Sequence, residues 1–346
     1  MNFIFYALIT AIVIGFLTFI HELGHFSMAR LFNVPVLEFA IGMGPKIFSW
    51  EGKYGTKYAL RAFPIGGFVQ MEGEEGDSEN PMAYNHLNPW KKIAVTVAGP
   101  VVNIVFAIIL MFILVLTTPT LGSTTIGQFR EGAISNAKLQ LNDEIIKVGD
   151  VYVHTTEELH YEIVLQGYRA VDITVIRDGK EIVISDVVFN TVEDSGATFG
   201  VMDFRVYRLS DLEDVNVLDY LEQAVYRSMS TVKMVFDSLW GIISGRFGMD
   251  SVSGPIGIVE TVEQVTNVSV SSLVNLIVVI SMNLGIFNLL PIPALDGGRI
   301  VFHLIDGIAG RKVIKKEIED NITVITMLLL LGFMLLVSIK DVINLF

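Results

Sequence analysis

His21-Glu22-Leu23-Gly24-His25 sets two imidazoles four residues apart with a carboxylate beside the first. On a helix, residues four apart lie about 40° apart around the axis, so both rings can reach one ion from a single face. Glu22 sits where a general base could take a proton from a metal-activated water. A satisfied histidine at a membrane boundary would account for one ring but not for this spacing. A hydrolytic zinc centre takes a third protein ligand and leaves one position to water. With no cysteine among 346 residues, thiolate ligands, disulfides and cysteine nucleophiles are all excluded. The strongest third ligand is Asp296, in Asn288-Leu289-Leu290-Pro291-Ile292-Pro293-Ala294-Leu295-Asp296-Gly297-Gly298. His86 and His303 stay open. Two histidines and an aspartate suit Zn²⁺, although Fe²⁺ and Mn²⁺ use similar ligands.

The surroundings of these residues are apolar. The chain is 52% hydrophobic and 18% charged, with a mean hydropathy of +0.57, against about a quarter charged in soluble domains. Four stretches suit a bilayer span of about 20 residues: Phe3 to Ile20, Ile93 to Leu116, Leu273 to Leu290 and Ile322 to Ile339. The first is expected to be retained, because it lacks a basic leader and a small-residue cleavage site. His21 lies roughly 27 Å along the helix from Phe3, which puts the motif near one end of its span. Asp296 follows the third span directly, where two prolines and two glycines open the helix. Irregular backbone is tolerated at that depth only where it lines a cavity.

Basic residues near span ends (Arg30, Lys91 and Lys92; Arg299, Arg311 and Lys312) put the first and third connections in the cytoplasm. His21, His25 and Asp296 then share the cytoplasmic end of their spans. Residues 118–270 fall outside, as do both termini. That long segment carries 11 basic and 23 acidic residues, nearly all of the chain's net charge of −13. Such a balance argues against a nucleic-acid partner. Within the segment, Val171 to Ile176 and Glu181 to Val188 alternate around Asp178-Gly179, a hairpin signal. Glu157 to Leu165 has helical spacing. The run from Glu131-Gly132-Ala133 to Asn142-Asp143-Glu144-Ile145-Ile146 resembles the bacterial PDZ pattern, although no clear glycine-rich carboxylate loop is visible. Apolar steps of three and four from Val215 to Ile243 predict an amphipathic helix that docks on or tethers this domain.

The whole pattern resembles the site-2 protease family, in its bacterial RseP-like regulated intramembrane form. Beyond the histidine motif and Asp296, which stands at the family's third-ligand position, the similarity rests on Gly42-Met43-Gly44-Pro45, Phe63 to Met71, Ala98 to Asn103 and Asn288 to Pro291. It departs from the best-known members in having one PDZ-like unit rather than two. The expected fold is an α-helical polytopic membrane protein with four transmembrane helices. A membrane-associated β-hairpin region and an inserted α+β PDZ-like extracytoplasmic domain complete it. The divisions are 1–32 (first span), 33–92 (re-entrant hairpin region), 93–117 (second span), 118–205 (PDZ-like domain), 206–270 (amphipathic helix and linker), 271–298 (third span), 299–321 (cytoplasmic loop) and 322–346 (fourth span). The resemblance implies an intramembrane zinc endopeptidase of the bacterial cytoplasmic membrane, acting on single-span proteins already trimmed outside, such as anti-sigma factors, or on remnant signal peptides. His21, His25 and Asp296 would hold Zn²⁺ and Glu22 would be the base.

The Arg61 to Met71 segment, with a turn at Gly66-Gly67, is expected to form a hairpin dipping into the membrane. Its edge (Gly66, Gly67, Phe68, Val69) would pair with an unwound substrate. Asn288 would hold the substrate backbone or the oxyanion, or else pack between helices; Asn103 reads chiefly as a packing amide. The alternatives are a membrane scaffold with a peptide-binding outer domain and a non-catalytic metal site, and a tethered protease for soluble peptides.

Overall fold

Long apolar runs bounded by glycine and proline become helices here, and the two glycine-punctuated regions between them become sheets. The computed structural model describes residues 2–74, 76–194, 196–248 and 251–344, so Glu75 of the first acidic loop and the two terminal extremes lie outside it. The chain divides into two compact units: residues 1–107 with 253–346, and residues 108–252.

The first unit is built on helix α1 (Asn2–Leu31), helix α2 (Pro89–Thr117), which continues into the second unit, α5 (Pro255–Val268), α6 (Val270–Leu289), α7 (Asp296–Ala309) and α8 (Lys316–Asn344). Four of these helices, over Phe3–Leu31, Pro89–Thr117, Val270–Leu289 and Lys316–Ile343, are long and apolar enough to cross a membrane. Their outward faces are bare of protein: Ile4, Leu8 and Ile12 on α1 and Leu328, Leu329 and Leu336 on α8 are exposed, as lipid-facing side chains must be. On α1, Tyr6 packs on Val259 and Val262 of α5 and its hydroxyl donates to Asn267 Oδ1 at 3.0 Å. Asp341 of α8 accepts from the backbone N–H groups of Gly254 and Gly257 at 2.9 and 3.0 Å, capping α5.

Strands β1 (Val36–Glu51) and β2 (Lys57–Met71) are long and bent. Residues 38–41 pair twice: Phe39 with Tyr58 and with Val69, Ala40 with Ala59 and with Phe68. Residues 57–61 also pair with 46–51, through Ser49 with Ala59 and Trp50 with Tyr58. Two strands thus form four rungs in the order 46–51, 57–61, 38–41, 67–71, and 67–71 has no strand on its outer side among the described residues. The reversal expected near Gly66-Gly67 is present between residues 61 and 67, but the two arms of Arg61–Met71 lie on either side of 38–41 instead of pairing with each other. The chain also reverses at residues 52–56; Gly66 ends the second reversal with φ +81°, and Gly67 is already paired within the strand, opposite Ile41. Gly67 lacks a side chain for a packing reason: a Cβ there would sit 2.9 Å from the Ala40 carbonyl oxygen and 3.3 Å from Glu22 Cγ.

The second unit holds a sheet of six strands. β3 (Gly122–Phe129), β4 (Glu144–Val148), β6 (Val171–Arg177), β7 (Lys180–Val187) and β10 (Phe204–Arg208) run in the order β10-β3-β4-β6-β7, and β5 (Val151–Tyr152) pairs with β4. β8 (Asn190–Asp194) and β9 (Ala197–Val201) form a separate hairpin. Helix α3 (Thr156–Gln166), capped by the Thr155 side chain, covers a core that includes Ile126, Ile145, Ile163, Ile173, Phe189 and Phe204. β9 presses on the end of α3 so closely that a Cβ on Gly200 would meet the Ile163 carbonyl oxygen at 2.3 Å. The expected β6–β7 hairpin is present, with Asp178 and Gly179 both at positive φ. Helix α4 (Val217–Ile243) docks on α3 through Arg227–Glu157 and Lys233–Glu162, each at 2.7 Å. Its buried face carries Ala224, Ser228 and Thr231. Its apolar stripe, with Met229, Phe236 and Trp240, is exposed.

Candidate active site

α1 is apolar for five turns before His21, so the polar motif is carried on a helix already committed by its length. His21 and His25 are 7% and 8% exposed. Their Nε2 atoms lie 3.2 Å apart, and Asp296 Oδ2 lies 3.1 Å from the first and 3.4 Å from the second. Asp296 gets there because α6 ends at Leu289 and the chain turns through Pro291–Leu295 before α7 begins. A Cβ on Gly297 would meet the Leu290 carbonyl oxygen at 2.0 Å, so that tight reversal requires glycine.

The three atoms suit a cation. His25 Nδ1 is 2.9 Å from the Val95 carbonyl oxygen, an acceptor, so that nitrogen carries the proton and Nε2 keeps its lone pair. Asp296 Oδ2 is buried and forms no hydrogen bond. Acceptors converging within 3.4 Å repel one another unless a positive charge lies between them. Among the described residues, His21, His25 and Asp296 are the one group of three such side chains close enough to hold a metal ion, with ligand atoms within 4.8 Å of one another. The structure directs the other histidines elsewhere: His86 Nε2 meets the Ser78 carbonyl oxygen at 2.7 Å and His303 Nε2 the Tyr84 hydroxyl at 3.0 Å.

A cavity of about 540 Å³ opens beside this cluster, lined by Glu22, Phe68, Val69, Thr96, Asn288 and Arg299 among others. Phe68 and Val69 therefore reach the site with their strand edge. Gly67 packs beside Glu22 without lining the cavity, and Gly66 stays at the bend. Asn288 lines the cavity from the last turn of α6, its amide nitrogen donating to the Leu284 carbonyl at 2.9 Å.

Several residues of the site escaped the sequence reading. A Cβ on Gly99 of α2 would lie 2.4 Å from His25 Nε2, and one on Gly24 2.4 Å from the Ala98 carbonyl oxygen, so two glycines set the crossing of α1 and α2. Arg299, one turn beyond Asp296, pairs with Glu74 at 2.7 Å; that spacing was its signal. Beside this pair, burial, assisted by the Arg299 charge, pushes His303 down to about 4.

Comparison with known proteins agrees with this geometry. The model of peptidase family M50 matches residues 9–333. A Fusobacterium nucleatum protein, provisionally named a zinc metalloprotease, is 36% identical over 344 residues, covering 98% of this chain and 99% of its own. A Clostridium acetobutylicum protein with the same provisional name is 32% identical, covering 98% of each chain. The probable protease eep of Enterococcus faecalis is 27% identical, covering 96% and 97%. The chain belongs to peptidase family M50, the site-2 proteases, and is a zinc metalloprotease of the membrane.

Proposed function

We propose that the protein is an intramembrane endopeptidase that cleaves the transmembrane segment of single-span substrates, with His21, His25 and Asp296 as the zinc ligands. The observation that carries this reading is the convergence of those three ligand atoms beside Glu22, in a cavity flanked by an unpaired strand edge. Bound zinc supplies Lewis acidity, which activates water and polarises a carbonyl. Glu22 accepts the proton of the attacking water and returns it to the leaving amine. The Val95 carbonyl holds the His25 ring so that Nε2 faces the site.

A peptide bond in a transmembrane helix is shielded by its own hydrogen bonds, so the substrate must become extended before attack. Residues 67–71 offer it replacement partners by strand addition, which lays the substrate backbone across the cavity that Glu22 lines. Asn288 holds that backbone or the oxyanion through its carboxamide. The substrates are proteins already trimmed on their outer side, such as anti-sigma factors, or remnant signal peptides. The site lies near the cytoplasmic face of the bacterial cytoplasmic membrane, and residues 118–205 form a PDZ-like extracytoplasmic domain. The sheet order and the helix packed on it support the PDZ-like reading, and the basic residues near span ends support the orientation.

The test is cleavage of a tagged single-span substrate in membranes by wild type and Glu22→Gln at equal expression, with zinc measured on the same samples. We expect cleavage to fall by about 10²-fold or more while zinc is retained. Cleavage unaffected by the substitution would remove Glu22 as the base and return weight to a scaffold with a silent metal site.

A further inference from the structure

Two neutral imidazoles serve one ion through Nε2 only if each keeps its proton on Nδ1. For His25 the Val95 carbonyl enforces this. At His21 Nδ1 the side-chain neighbour among the described residues is Asn103, fully buried, with its carboxamide nitrogen 3.5 Å away and its Oδ1 without a hydrogen-bond partner. An amide nitrogen facing Nδ1 would ask that atom for a lone pair and move the ring proton to Nε2, into the ligand cluster. The oxygen and nitrogen of a carboxamide exchange places by rotation about one torsion. With Oδ1 toward the ring, Nδ1–H donates and the His21 Nε2 lone pair points at the site.

α2 is arranged for this role. Val95, Gly99 and Asn103 recur every four residues and share one face, as do His21 and His25 on α1. Val95 meets His25, Gly99 leaves room for the His25 ring, and Asn103 meets His21. Asn103 is held in turn, because Ser281 Oγ donates to its backbone carbonyl at 2.9 Å. We infer that Asn103 is a positioning residue that fixes the tautomer and orientation of His21. It thereby raises zinc affinity without touching the ion. This inference rests on the ligand set proposed above.

The experiment uses the full-length protein in detergent. Zinc affinity is measured by chelator competition, and the ligand field by the visible spectrum of the cobalt-substituted protein, for wild type, Asn103→Leu, Asn103→Asp and His25→Ala. Leucine keeps the volume and removes the acceptor; aspartate keeps an acceptor and adds a charge. Positioning predicts a loss of about 10- to 100-fold in zinc affinity and an altered cobalt spectrum for Asn103→Leu, with affinity retained in Asn103→Asp. A packing amide predicts the reverse order, and that order would overturn the inference. If Asn103→Leu does not accumulate, Asn103→Asp decides alone: wild-type zinc affinity supports positioning and its loss overturns it. Full zinc stoichiometry in His25→Ala would overturn the ligand set itself. Zinc lost there but bound normally by Asn103→Leu would overturn the role of Asn103 alone.

Discussion

At the scale of single residues, the site depends as much on what is missing as on what is present. Gly99 carries no side chain because a Cβ there would lie 2.4 Å from His25 Nε2, closer than any non-bonded contact permits. The atoms it would meet are those of the His25 ring, which is tied by Nδ1 to the Val95 carbonyl. Gly99→Ala should therefore displace the His25 ring and lower zinc content well below one ion per chain, while the helical circular dichroism of the purified protein stays as in wild type. Normal zinc binding by that variant would mean that α1 and α2 can separate without cost. The histidine spacing and Asp296 were legible in the sequence, because residue type and helical period suffice to propose them. Gly99 was not, since a glycine in an apolar run carries no sign of the ring packed against it. Asn103 was visible as a polar residue within a span, but only the position of His21 Nδ1 separates a positioning amide from a packing one.

Among elements, β2 and α7 do most of the placing. The 67–71 edge meets the cavity through Phe68 and Val69, and proline within it removes a backbone donor and resists pairing. A proline scan over residues 67–70 should abolish cleavage of the single-span substrate at one position or more while leaving zinc content unchanged. Cleavage surviving at all four positions would sink strand addition. On α7, His303 is buried against Tyr84, and its folded-state value of about 4 lies below the ordinary 6.5. Between those values the unfolded chain takes up a proton that the folded one refuses. The contribution is thus fully present above pH 6.5 and is lost as pH falls toward 4. The melting temperature in detergent should drop across that window, and less steeply in His303→Gln, whose amide still offers Tyr84 a partner. Equal slopes would show that other groups govern the acid limb. The long helices and the β6–β7 hairpin were readable from period and turn chemistry. The double pairing of residues 38–41 was not, because a Gly-Gly turn signals a reversal without showing that another segment of the chain lies between its two arms.

For the whole molecule, the two units differ in solvent. The first exposes apolar helix faces that only lipid can cover. The second buries its own core of aliphatic and aromatic residues and carries most of the acidic charge, as a water-soluble domain does. Expressed alone, residues 118–248 should therefore fold and unfold in one cooperative transition without detergent, which thermal circular dichroism would detect; a fragment soluble only in detergent would contradict this division.

The sequence by itself determined the zinc chemistry, the membrane character and the family. Each rests on local information: residue types at helical spacing, apolar run length, and motifs a few residues long. Tertiary structure alone decided that Asp296, rather than His86 or His303, completes the cluster. It also left one strand edge open beside Glu22 and turned the apolar stripe of α4 away from the domain on which that helix docks. These outcomes depend on which surfaces meet across more than two hundred residues of chain, as between His21 and Asp296, and on which close approaches the glycines permit. No local pattern encodes either.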